Sequence, residues 1–377
     1  MKFDEKVKGA IYGAAIGDAM GAPVEGAPSG RIFEEFPRWD CSEFLPPPHG
    51  ADPDRGKGSG RITDDTLMTE VLIEAYAEAR QHLDAYGYCK YILPRVKGRE
   101  RWIPEWQSET VLWNRLYFPE KFPWIRLGVG NADPRTGGVG NVVNCGVAMW
   151  MMPVGAVNAG HPRNAYQEAV LLGSAHSESF AVEAGAVMAA ATAEALSASG
   201  TPESVLGASV SLAKDGTKKA IAAVAEAVDR KESLRGFISA VRAAVAPYDP
   251  CEGHVADDAP LAAAPGTDVG RPSRVHTIEE LPVALAALVY GGGDALRTLR
   301  AAVFYGRDCD SIGGMAMALF GALYGAEALP NNLYRRVDEA NRRDFTALSV
   351  TFCRAIREIL EKDRKEFEIH AKSVDTR

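Results

Sequence analysis

The chain has 377 residues, is 46% hydrophobic and carries a formal charge of -8 with a pI near 5.5. That apolar content suits one large domain or two, and the acidic balance excludes a nucleic-acid backbone as a partner, which would need clustered Lys and Arg. The six cysteines, at positions 41, 89, 145, 251, 309 and 353, show no C-x-x-C spacing and read as those of a reduced compartment. Asp4 and Glu5 precede the first apolar stretch and Asp18 lies inside it, so it is no signal peptide. The longest uncharged run, Ser311 to Ala326, is shorter than the ~20 residues of a membrane span. A soluble cytoplasmic protein without membrane contact is expected.

In chain order, Glu5 to Met20 reads as a helix of small residues, with Gly13 and Gly17 permitting close approach of a neighbour and Gly21-Ala22-Pro23 ending it. Asp18 inside it needs a partner if buried, either structural or functional. Residues 26–61 are dense in Pro, Gly and charge and read as a flap leading to Thr63. A helix from Asp64 to about Arg80 presents Leu67, Val71, Leu72 and Ala75 on one face. Residues 98–140 hold Trp102, Trp106, Trp113, Tyr117, Phe118, Phe122 and Trp124, which read either as satellite core or as the wall of a pocket that stacks a base. The glycine run Gly137-Gly138-Val139-Gly140 can admit a phosphate, but no strand precedes it, so a Rossmann reading is weak.

Helices then follow over Pro162 to Leu172, Glu178 to Ser197, Ser204 to Ala213, Lys218 to Asp229 and Leu234 to Val245. A Pro, Ala and Asp loop over Pro247 to Thr277 separates them from Glu279 to Tyr290, Gly293 to Phe304, the segment after Asp310, Asn332 to Asp338 and Arg343 to Glu361. No segment alternates with period two over a convincing length. The expectation is an all-α fold in a single domain spanning 1–377, with loop insertions at about 26–61, 98–140 and 247–278.

Two acidic helix starts carry the chemistry. Asp308-Cys309-Asp310-Ser311 heads the apolar segment from Ile312, and Thr63-Asp64-Asp65 heads the helix from Asp64. With Asp310 or Ser311 as cap, the first cluster sits at a positive helix end, where carboxylates are favoured. Packed closely, the acids repel one another unless a cation neutralises them. An EF-hand fails, because Ile312 and Leu319 stand where oxygen ligands are needed. Facing each other, the two starts supply four carboxylates and two hydroxyls, from Thr63, Asp64, Asp65, Asp308, Asp310 and Ser311. That all-oxygen set fits two Mg²⁺ or Mn²⁺ ions better than zinc.

With these motifs in hand, the chain resembles the ADP-ribosylglycohydrolase family, including the dinitrogenase-reductase-activating glycohydrolases. The likeness runs through Gly13 to Glu25, Ile62 to Met68, Asn144-Cys145-Gly146 to Pro153-Val154-Gly155, Ala175-His176 and Asp308 to Gly314, in order along most of the chain. It implies an orthogonal bundle of about a dozen helices around a two-metal cleft. It also implies that Thr63, Asp64, Asp65, Asp308, Asp310 and Ser311 are metal ligands, and that Glu25 is a flap carboxylate that orients water. Asn144, Cys145, Gly146 and His176 would line the ribose and phosphate side. The residues alone read His176 as a structural hydrogen-bonder. Arg307 stands where the family commonly has a second glycine, and Trp150 where it has an arginine.

The reaction so implied is hydrolysis of an N- or O-glycosidic bond that releases ADP-ribose, the substrate being an ADP-ribosylated protein or another ADP-ribose conjugate. Two divalent ions would hold the ribose hydroxyls and activate a water, and one of Asp64, Asp65, Asp308 or Glu25 would accept its proton. One alternative is hydrolysis of a smaller riboside or nucleoside-type metabolite. Another, of a different class, is a non-catalytic binding or structural member of the family.

Overall fold

The computed structural model describes residues 2–48, 50, 52, 55–248 and 278–375. Most of the expected 247–278 loop therefore lies outside the described residues. Among them the principal helices are α1 (Phe3–Gly21), α2 (Asp64–Ala79), α3 (Pro162–Gly173), α4 (Ser179–Ala195), α5 (Pro202–Leu212), α6 (Asp215–Ala227), α7 (Leu234–Val245), α8 (Glu280–Gly291), α9 (Ala295–Val303), α10 (Cys309–Tyr324), α11 (Asn331–Asn341) and α12 (Phe345–Asp375). Local chemistry sets several of their starts. Thr63, Ser233 and Asp294 accept backbone N–H bonds as caps of α2, α7 and α9, and Thr201 with Ser204 forms a capping box at α5.

The body is built on α1 and α10, which run antiparallel with their backbones in contact. A Cβ on Gly13 would stand 2.0 Å from the Met317 carbonyl oxygen, and one on Gly17 would stand 2.0 Å from that of Gly313. Both positions therefore require glycine. Every residue of α10 from Cys309 to Leu323 is buried, which explains why the segment shows no polar face. Helices α8 and α9 flank α10, α4 packs on α3 and α10, and α5 to α7 form an outer tier. Helix α12 packs on α1 and α2. His82 ties it down by bridging the buried Glu168, itself bonded by Tyr76 (2.7 Å) and Asn158 (2.6 Å), to Asp363 (3.1 Å).

Three expectations need correction. Residues 98–140 contain an antiparallel hairpin, β1 (Glu100–Ile103) with β2 (Ser108–Val111), pairing Glu100 with Val111 and Ile103 with Ser108. Four-residue strands are too short to display an alternating pattern. Gln107, at φ 51°, makes the left-handed turn between them. The 26–61 insertion is not all loop, since Ser29–Glu35 is helical. Helix α12 continues well past Glu361, because its last turns are Lys- and Glu-rich, good helix formers that need no buried face. Among the described residues no helix is long and apolar enough to cross a membrane.

Substituting Gly17→Ala is expected to cost about 2–3 kcal/mol in chemical denaturation, because neither backbone can withdraw without opening the whole seam. A loss under about 0.5 kcal/mol would show that the two helices are not locked together there.

Candidate active site

Helices α2 and α10 begin beside each other, and α1 supplies the pin between them. The fully buried Asp18 accepts bonds from the backbone N–H of Thr63 (3.0 Å) and Thr66 (3.2 Å) and from the Thr66 hydroxyl, so a residue of α1 caps the start of α2. Because the glycine seam fixes α1 against α10, this cap also fixes α2 against Asp310. The Ser311 hydroxyl then donates to Asp65 at 3.0 Å, joining the two acidic clusters directly.

The cap of α10 differs from the sequence reading. Asp308, rather than Asp310 or Ser311, is the N-cap residue, and its side chain makes no capping bond to the backbone N–H groups of the helix start. It turns toward the loop, where the Cys145 thiol donates to it at 2.9 Å and lies 3.6 Å from the Ser311 oxygen. Glu25 reaches the same place through a backbone bridge. Gly26 N–H donates to the Arg307 carbonyl at 2.7 Å, and Arg307 N–H to that of Ala27 at 2.8 Å. The bridge has φ 58° at Arg307, a left-handed conformation that glycine adopts most readily. The Arg307 side chain is buried against Glu279 at 3.4 Å.

Two carboxylate groups result, each with oxygens within 4.8 Å of one another: Asp18, Asp65 and Asp310, and Glu25, Asp308 and Asp310. Asp310 belongs to both. Asp64 stands at the same helix start but pairs with Arg115 at 3.0 Å, and Thr63 is buried as the cap. Asn144 accepts from Gly146 N–H at 3.1 Å and shapes the Cys145 loop. His176 lies behind that loop. It is fully buried, bonded to the Tyr88 hydroxyl at 3.0 Å and set edge-on against Trp150 at 5.4 Å, and burial drives its pKa down to about 3, so it is a neutral ring. Trp150 is buried too and donates to the Gly146 carbonyl, bracing the loop from beneath.

A family model described as ADP-ribosylglycohydrolase matches residues 1–365. The chain belongs to the ADP-ribosylglycohydrolase family. It is therefore related to hydrolases of glycosidic bonds in ADP-ribose conjugates. The uncharacterized protein YegU of Escherichia coli (strain K12) is 26% identical over 343 residues, covering 90% of this chain and 94% of its own. An uncharacterized protein of Archaeoglobus fulgidus is 29% identical over 162 residues, or 41% of this chain and 44% of that one. A solved structure, an ADP-ribosylglycohydrolase-related protein complex, is 21% identical with a TM-score of 0.61, covering 94% of this chain and 99% of that one. That likeness shows the all-α fold of the family.

The family is generally metal-dependent, and the donor set here fits hard divalent cations. The fit is visible in what the acids suffer without them. Burial, then the charge of Asp310, pushes Asp18 and Asp308 up to about 7 and Asp65 well above the carboxylate range. A stand-in cation is also present. Lys57, on the flap, ion-pairs with Glu25 and sits 3.4 Å from Asp310.

Several members of this site escaped the sequence reading. Arg115 and Glu105, from the aromatic insertion, form a buried ion pair against Asp64. Glu120 lies so close to Gly146 that a Cβ there would meet its carboxylate at 2.8 Å. Glu280, at the start of α8, groups with Cys145 and Asp308. Its signal was available, since Glu279-Glu280 ahead of an apolar run repeats the pattern of the two starts that were read.

Asp308 binds its proton more tightly in the folded chain than in the unfolded one, where its pKa is near 3.8. Between about 4 and 7 the folded state therefore holds more protons, and this group's contribution to stability falls as pH rises through that window. Metal-free Asp308→Asn is accordingly expected to melt above wild type at pH 8, with the gap narrowing as pH falls and closing only near pH 4. A variant whose advantage does not grow with pH would contradict this electrostatic description.

Proposed function

We propose that this protein hydrolyses an N- or O-glycosidic bond at the anomeric carbon of the ribose of an ADP-ribose conjugate, releasing ADP-ribose. Asp65, Asp308, Asp310 and Ser311, with Thr63 and Asp64 behind them, would hold two Mg²⁺ or Mn²⁺ ions. The observation that carries the reading is the convergence of two acidic helix starts, far apart in sequence, on one shared carboxylate, Asp310. When bound, such ions supply Lewis acidity and the positive charge that the buried carboxylates need.

The chain's own groups supply the rest. Asp18 and the glycine seam keep the ligands in place before substrate arrives, which spares the reorganisation cost at the moment of reaction. Asp18, Asp65 and Asp310 are buried, whereas Asp308 is partly and Glu25 more fully exposed to water. Glu25 is engaged by Lys57, so we assign acceptance of the water proton to Asp308, with Glu25 orienting the water. Gly146 and Asn144 shape the loop that would face the sugar, and Cys145 steadies Asp308 through its thiol. Tyr117 and Phe118 are exposed on the insertion that carries Arg115, a position that supports contact with the rest of the conjugate.

The test is incubation with ADP-ribosyl-arginine and ADP-ribosyl-serine conjugates plus Mg²⁺ or Mn²⁺, following free ADP-ribose, beside a panel of nucleosides. Asp310→Ala is expected to lose at least about 100-fold in turnover together with its bound metal. Unchanged turnover would overturn the ligand assignment. Hydrolysis of nucleosides alone would favour the smaller-riboside reading, and no hydrolysis with no bound metal would favour a non-catalytic member.

A further inference from the structure

The flap carries a residue that the metal centre alone does not explain. Lys57 stands between Gly56 and Gly58, and its side chain is mostly covered, at 22% exposure. Its ammonium group contacts Glu25 and lies 3.4 Å from Asp310 Oδ2. Those are two of the three carboxylates of the outer group, Glu25, Asp308 and Asp310, whose oxygens all lie within 4.8 Å of one another.

The loop that presents Lys57 is held on both sides. Gly56 N–H donates to the Glu105 carbonyl of the insertion at 2.6 Å, and the Arg61 guanidinium donates to the Gly56 carbonyl at 3.1 Å. Ser59 N–H donates to the Leu45 carbonyl at 2.7 Å. Gly58, at φ 115°, passes so near Pro47 that a Cβ would meet its nitrogen at 2.6 Å. The backbone therefore keeps Lys57 aimed at Glu25 and Asp310, while its four-carbon stem leaves the charged end free to swing.

We infer that Lys57 is a built-in competitor for the outer of the two metal positions, so that loading that position exchanges the lysine ammonium for a divalent ion. The inference rests on the metal-centre reading given above. An ammonium and a dication cannot share Glu25 and Asp310, since like charges a few ångströms apart repel strongly where water is scarce. The inner position shares Asp310, but its other donors, Asp65 and Ser311, make no pair with Lys57, so the lysine competes chiefly for the outer one. The two positions are therefore unequal. The inner fills first, and the outer fills only as Lys57 leaves toward solvent and the incoming substrate. The competing charge lowers the affinity of the outer position more than that of the inner, and it offsets part of the charge of Glu25 and Asp310 before metal arrives.

The experiment is titration of full-length wild type, Lys57→Gln and Lys57→Arg with Mn²⁺ alone, by calorimetry and by electron paramagnetic resonance. Wild type is expected to bind one ion tightly and a second at least tenfold more weakly, with the exchange-coupled signal of a Mn²⁺ pair appearing only at high metal. In Lys57→Gln the weaker affinity is expected to rise about tenfold or more, and the coupled signal to appear at lower metal. In Lys57→Arg, which keeps the charge, the weaker site is expected to stay weak. Equal affinities of wild type and Lys57→Gln for both ions would overturn the exchange while leaving the metal centre standing. No Mn²⁺ bound by any of the three would overturn the metal centre and the exchange together.

Discussion

The contact between the backbones of α1 and α10 is the constraint from which the site follows. Glycine on the facing sides removes the side-chain layer that normally separates packed helices by 8–10 Å. The consequence is chemical as well as mechanical. Asp18 of α1 is carried to the start of α2, and its carboxylate satisfies two N–H groups there that have no partner inside that helix. One buried aspartate thus links three helices, and the acidic residues that follow Thr63 and Arg307 have no choice but to face one another.

Gathering acids in this way is unfavourable in itself. Helix N-termini offset part of the cost through their dipoles, and hydroxyl and thiol donors from Ser311 and Cys145 offset a further part. Repulsion and burial still leave Asp18, Asp65 and Asp308 holding their protons well above the ordinary range. A structure under no functional demand would replace such a cluster with apolar residues, since buried ionic groups are weak sources of stability. The concentration of this unfavourable charge beside Lys57 and Arg115 is the feature that supports the cation binding proposed above.

Much of this was legible in the chain. Capping residues followed by carboxylates at the head of apolar runs mark both helix starts, and the small-residue face of α1 foretold a close neighbour. The all-α architecture followed from helical periodicity. Other features were hidden for identifiable reasons. The hairpin is too short for a periodic signal, and the orientation of Asp308 toward Cys145 depends on a residue 163 positions away. Arg115 and Glu120 sit in helices of four and six residues and Lys57 in a loop, all too short or irregular for spacing to say anything about direction. His176 shows the converse, since a motif position adjoining the site carries a ring that is buried, neutral and directed at Tyr88.

In the proposed function two helix starts, locked by the glycine seam, would cage a pair of divalent ions about one shared carboxylate. Diffraction from crystals soaked in Mn²⁺ and ADP-ribose, collected at the manganese absorption edge, tests it most directly. The expected result is two anomalous peaks about 3.5–4 Å apart, both in contact with Asp310, one reaching Asp65 and the other Asp308. Peaks elsewhere on the molecule, or none between α2 and α10, would contradict the account.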